Sequence, residues 1–104
     1  MNRYLIVSLK RTKPDHNWMV LWKENSNGYS IVRDNAGIYL ERDLLDGYHG
    51  TETNLPVLES VIDPFFKELY YHEDAGGEVQ LLPNTEKVWE ALGLEMSAKG
   101  LKRK

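Results

Sequence analysis

Trp18, Val20 and Trp22 alternate with Met19, Leu21 and Lys23, the two-residue period of a strand whose side chains point to opposite faces. Glu24-Asn25-Ser26-Asn27-Gly28 breaks the pattern with residues that turn a chain, and Asn27-Gly28 reads as the end of a hairpin loop. Tyr29, Ile31 and Arg33 alternate with Ser30 and Val32 as a second strand. Asp34 to Gly37 then forms a turn or bulge before Ile38-Tyr39-Leu40 resumes the extended run. This aromatic stretch, residues 18–39, organises the chain.

The flanking segments follow the same logic. Residues 4–9 (YLIVSL) are apolar on both faces, so they predict a strand inside the sheet, paired with the next as an antiparallel hairpin. Residues 11–17 are polar, and Pro14 discourages a strand from running through them. Acids at 41 and 43 with Gly47 behind them predict a short helix presenting Leu44, Leu45 and Tyr48 on one face; residues 47–54 read as a loop. Residues 55–62 fit two periods. A strand over 57–62 is the reading adopted, with a Pro-kinked helix as the alternative. Asp63-Pro64 supplies a cap and a first-turn proline, so a helix is expected to start there and carry Phe65, Phe66, Leu69 and Tyr70 as its apolar face through Tyr71. Residues 73–78 read as a flexible acidic loop and 79–82 as a last strand ended by Pro83. Asn84 or Thr85 caps a helix that buries Val88, Trp89 and Leu92 and stops at Gly93. The fold class is α+β: a mostly antiparallel sheet of four to five strands with two main helices and one short helix, in a single domain over residues 1–95. Residues 96–104 are expected as a basic, flexible tail.

Charge changes this picture by its distribution. The net charge is −3, but residues 1–33 carry +4, residues 34–98 carry −11 and residues 99–104 carry +4. Such blocks govern partner choice and encounter rate, not the fold. A chain 41 % hydrophobic and 11 % aromatic is not disordered, and the absence of cysteine excludes disulfides, thiolate chemistry and zinc–sulfur sites. The first apolar run, residues 4–7, is too short for a signal peptide or a membrane span, so a cytoplasmic protein with no membrane association is expected.

Catalytic constellations do not emerge. His16, His49 and His72 are isolated from one another, and the acids around His72 lack calcium-loop spacing, so neither a metal nor another cofactor is expected. The serines lie in no nucleophile elbow. Gly76-Gly77 lacks the Lys-Ser/Thr of a phosphate loop and is flanked by acids. Acid pairs such as Asp43/Asp46 and Glu73/Glu78 are expected by chance in so acidic a block. An enzyme is the weakest class; its mark would be a concave pocket gathering two or more of His49, His72, Asp74 and Tyr48.

Two binding readings remain. Trp18, Trp22, Tyr29 and Tyr39, with Asp43, Asp46, Glu73 and Asp74, are candidates for protein binding, the acids being suited to a basic groove on a partner. Lys10, Arg11 and Lys13, with Lys99, Lys102, Arg103 and Lys104, are candidates for nucleic-acid contacts, although a pI of about 5.6 is unusual for such a domain. The protein-binding reading is preferred by elimination. An exposed edge at 79–82, or the first strand, could pair with a second copy to make a homodimer.

Gly28-Tyr29, six residues and then Ala36-Gly37-Ile38-Tyr39, preceded by Trp22-Lys23, resembles a group of small phage and prophage proteins. Val7-Ser8-Leu9-Lys10 near the start and Asn84-Thr85-Glu86-Lys87-Val88-Trp89 near the end are similar to segments of the same group, whereas residues 41–73 and the basic tail depart from it. The resemblance implies a phage or prophage origin and carries over no catalytic residue. With the acidic block it implies an accessory protein that binds a host or phage protein stoichiometrically and inhibits or redirects it, a defence or nucleic-acid enzyme being one such target.

Overall fold

A computed structural model describes residues 2–44, 53–66, 69–73 and 77–104. In chain order its elements are β1 (Arg3–Ser8), β2 (Leu21–Trp22), β3 (Tyr29–Ser30), β4 (Tyr39–Leu40), α1 (Glu41–Leu44), β5 (Asn54–Leu58), α2 (Glu59–Ile62), a 3-10 turn (Asp63–Phe66), β6 (Leu69–His72), β7 (Gly77–Gln80), α3 (Glu86–Ala91), β8 (Leu94–Ser97) and β9 (Gly100–Arg103). The fold is α+β and mostly antiparallel. β1 lies at the centre of a five-stranded sheet. β5 pairs along one side of it, from Tyr4↔Leu58 to Ser8↔Asn54; β2 and β4 share the other side, and β3 lies beyond β2. The first strand therefore offers no free edge to a second copy. β6–β7 and β8–β9 are separate hairpins.

The pleat of β1 divides the sheet into two faces. Leu5 and Val7 join Leu21, Val57, Ile62, Phe66, Val88, Leu94 and Leu101 in the main hydrophobic core. The alternate positions Tyr4, Ile6 and Ser8 share the other face with their partners across the ladders, which places Trp22, Tyr29 and Asn54 there too. The aromatic hairpin folds back onto this frame. Met19 N–H donates to Leu82 O at 2.8 Å, and isolated bridges join Trp18 to Pro83 and Val32 to Leu81. Gly37 is needed where it is, because a Cβ there would lie 2.6 Å from the Glu24 backbone.

Three expectations are corrected. The strand at 57–62 and the helix from 63 to 71 are displaced: extension ends at Leu58, the helical segment runs from Glu59 to Phe66, and 69–72 is β6. Glu59 is held by Arg3 at 2.9 Å and by Arg33 at 2.9 Å, long-range ion pairs that fix the helical start four residues before Asp63. Pro64, with no N–H, falls inside the segment and accompanies its tightening to 3-10 geometry. Tyr70 then packs against Trp18 in a tilted contact with centroids 4.5 Å apart, while Tyr71 is 74 % exposed, the alternation of a strand.

The second correction concerns residues 96–104. They are not a flexible tail: Leu94 and Leu101 are buried in the core, Met96 pairs with Leu101, and Leu101 N–H donates to Leu9 O at 3.2 Å. The third is that Gly77 and Glu78 belong to a strand, not to an acidic loop. The helix read over 41–47 is present as α1, its later residues lying outside the described ones. α3 stops at Gly93 as read.

Candidate nucleic-acid interface

The turn after β1 is held by bonds from four directions. Leu9 N–H donates to Thr53 O at 2.9 Å, and Leu9 O accepts from Thr12 and from Leu101. Thr12, fully buried, donates its hydroxyl to Ser8 O at 2.8 Å and accepts from Val20 N–H at 3.0 Å. Asn84 Nδ2 donates to Lys13 O at 3.0 Å and to His16 O at 2.9 Å, and Asn84 Oδ1 accepts from the Trp89 indole at 2.8 Å. A polar loop thus becomes a rigid platform for Lys10, Arg11 and Lys13.

The β8–β9 hairpin docks directly on this platform. Gly100 has φ +128°, and a Cβ on it would lie 2.9 Å from Leu9 O and 3.2 Å from Thr12 O, so only glycine allows the close approach. Lys13 Nζ then reaches Lys99 O at 2.8 Å. Two basic segments 86 residues apart in the chain meet across a groove of about 820 Å³, bordered by Lys10, Lys13, Thr53, Ser97, Lys99 and Lys102. Among the described residues Asp15 is the one carboxylate on its rim. Lys102 pairs loosely with Glu95 at 3.5 Å. Among the described residues Lys10, Arg11, Lys13 and Lys99 have no carboxylate partner.

A smaller recess of about 180 Å³ adjoins the groove across Lys10 and Thr53. Its wall is built on the sheet face opposite the main core. Tyr29 is packed there, with the tilted Trp22 ring at 4.3 Å and the Arg11 guanidinium at 4.1 Å from its ring centroid. Such a cation–π contact orients Arg11 without neutralising it. The Trp22 indole donates to Asn54 Oδ1 at 2.8 Å, and Arg103 donates to Asn54 O at 3.0 Å. Arg103 is therefore tied to the sheet, and Lys104 is exposed beside α3 at Glu86 and Glu90.

Among the described candidates for protein binding, Trp22 and Tyr29 meet, whereas Trp18, Tyr39, Asp43 and Glu73 do not join them in one site. Tyr39, 5 % exposed, is an internal brace: its hydroxyl donates to Lys23 O and accepts from Ser26 N–H. Trp18 packs on Tyr70, away from the Trp22–Tyr29 pair. Asp43 accepts from Leu40 N–H at 2.8 Å, a local cap, and Glu73 is exposed. Asp46 and Asp74 lie outside the described residues, as do Tyr48 and His49. Several acids of the −11 block serve the fold. Glu41 accepts from Asn2 and Tyr4, and Glu59 and Asp63 clamp Arg33. The hydrogen bond from Arg3, together with both guanidinium charges, holds the Glu59 carboxyl below its usual range; the bond to Asp63 raises Arg33.

Sequence reasoning missed Ser8, Thr53 and Ser97 as site residues. Ser97 Oγ donates to Gly100 O at 2.7 Å and accepts from Lys99 N–H at 3.3 Å, which shapes the hairpin turn. Among the described residues no group of three metal-ligating side chains gathers, and no helix is long and apolar enough to cross a membrane. Compared with protein families, curated proteins and solved structures, the chain finds no match.

Proposed function

We propose that this protein is a non-catalytic nucleic-acid-binding module whose working surface is the groove between the 10–13 turn and the β8–β9 hairpin. One observation carries the reading. Lys10, Lys13 and Lys99, which have no carboxylate partner among the described residues, lie together on one groove with Lys102, whereas Glu59 and Asp63 of the acidic block are taken up by Arg3 and Arg33. Lysines held by a rigid backbone suit phosphates, whose contacts position a strand without reading its sequence. The acidic remainder of the chain lowers non-specific affinity and confines binding to this surface. An accessory role in a phage or prophage, which the hairpin resemblance implies, accords with action by occupancy.

Fluorescence anisotropy with a labelled single-stranded oligonucleotide tests the reading. With four lysines engaged, log Kobs should fall against log salt with a slope of about −3, a loss of about 50-fold between 50 and 200 mM. Lys99→Glu with Lys102→Glu should abolish binding at the higher salt. No binding at 50 mM, or an affinity indifferent to that double change, would overturn the proposal. Nuclease-resistant capture of a discrete protein by the same groove would return the reading to a protein partner.

A further inference from the structure

Ser8 is 2 % exposed, and its hydroxyl has no hydrogen-bond partner among the described residues, although its own backbone N–H and C=O are both satisfied. A buried hydroxyl left unpaired is costly, and native chains rarely keep one without use. Ser8 follows Val7, a core position, so the pleat turns its side chain to the opposite face, which it shares with Trp22, Tyr29 and Asn54. These residues line the 180 Å³ recess together with Lys10 and Arg11. No acid lines it. The recess thus combines a hydroxyl donor, two cations without carboxylate partners among the described residues, and a volume suited to a small tetrahedral anion but too small for a nucleotide.

We infer that this recess is a phosphate subsite, in which the Ser8 hydroxyl, Lys10 and Arg11 hold one phosphate group of the strand lying in the adjoining groove. The assignment rests on the nucleic-acid reading of the groove for its physiological ligand, but its chemistry is testable without a strand. Tyr29, already packed against the tilted Trp22 ring and under the Arg11 guanidinium, is not offered as a stacking platform for a base. Its part is to present the guanidinium. Trp22 in turn fixes Asn54 at the recess wall through the indole bond.

The experiment is a titration of the full chain with inorganic phosphate at constant ionic strength, read by the Trp22 indole N–H and Ser8 amide resonances. Saturable shifts with phosphate but not with chloride are expected. Ser8→Ala should weaken the phosphate affinity about tenfold, the worth of one charge-assisted hydrogen bond. Arg11→Gln, a change on an exposed residue, should weaken it further. Shifts identical for phosphate and chloride, or an affinity unchanged in both variants, would overturn the subsite. Oligonucleotides with a 5′-phosphate, a 3′-phosphate or neither then separate the sources. A Ser8→Ala penalty common to all three places an internal phosphodiester in the recess; a penalty confined to one phosphorylated end places a terminal phosphate there. No penalty on any of them overturns the inference. Saturable phosphate binding in a chain that binds no oligonucleotide would sink the groove reading and leave the subsite standing.

Discussion

Gly100→Ala is the sharpest perturbation, because it acts at the contact that joins the two basic segments. The added Cβ meets Leu9 O at 2.9 Å and Thr12 O at 3.2 Å, both backbone atoms in a turn that Thr12 braces from inside. The neighbours cannot yield as a flexible side chain would. A non-glycine residue at φ +128° adds backbone strain of about 1–3 kcal/mol, so with the steric term the total cost is about 3 kcal/mol. For 104 residues the unfolding entropy is about 0.22 kcal/mol per kelvin, which converts that cost to a fall in Tm of about 14 °C. Thermal unfolding followed by circular dichroism measures it. The hairpin can relieve the strain only by moving away from Leu9, which separates Lys99 and Lys102 from Lys10 and Lys13. The salt slope for oligonucleotide binding should then drop from about −3 to about −1.4, two phosphate contacts in place of four. A variant with wild-type Tm and wild-type slope would refute the argument that this glycine sets the groove.

The remaining predictions concern the frame. Thr12→Val keeps the shape but loses the hydroxyl that donates to Ser8 O and accepts from Val20 N–H, and should cost about 2 kcal/mol in urea unfolding with an unchanged m-value. Arg33→Ala removes the clamp on Glu59 and Asp63 from a side chain 17 % exposed; about 2 kcal/mol is expected at neutral pH, less than for a fully buried pair because Asp63 is 42 % exposed. Since the Glu59 carboxyl is held below its unfolded value of 4.5, its stabilisation is complete above that pH and is lost as pH falls through the lower folded value. Wild-type Tm should therefore decline below about pH 4, and Glu59→Gln should flatten that decline.

Local patterning carried much of this fold. Apolar residues on both faces of 4–9 marked β1 as the central strand, the Asn-Gly turn marked the aromatic hairpin, and Thr85 with Gly93 bracketed α3. What misled was information held elsewhere in the chain. Asp63-Pro64 is a legitimate helix start by local chemistry, but the ion pairs of Glu59 with Arg3 and Arg33 begin the helical segment earlier. Leu69 to His72 has helical spacing with Phe65 and Phe66, yet pairing with β7 and the tilted Trp18–Tyr70 contact make it a strand. At the carboxy-terminal end a run of lysines masked the alternation of Leu94 and Met96 with Leu101, which was the available signal for a packed hairpin.

The candidate site was legible only as two separate basic clusters. That Lys10–Lys13 and Lys99–Lys102 face one groove depends on Gly100, whose role is a tertiary contact invisible along the chain. The Ser8 hydroxyl gave no signal in sequence, because its meaning lies in burial without a partner. Conversely, Tyr39 looked like part of an exposed aromatic face and is a brace within the hairpin.

The most direct test of the central claim is to map a short single-stranded oligonucleotide on the protein by amide chemical-shift perturbation at low and at physiological salt. The account predicts that the perturbed amides cluster at Lys10–Lys13, Thr53 and Ser97–Lys102, and that the perturbations shrink together as salt rises. Perturbations centred on Tyr71 and the β6–β7 hairpin, or none at low salt, would contradict it.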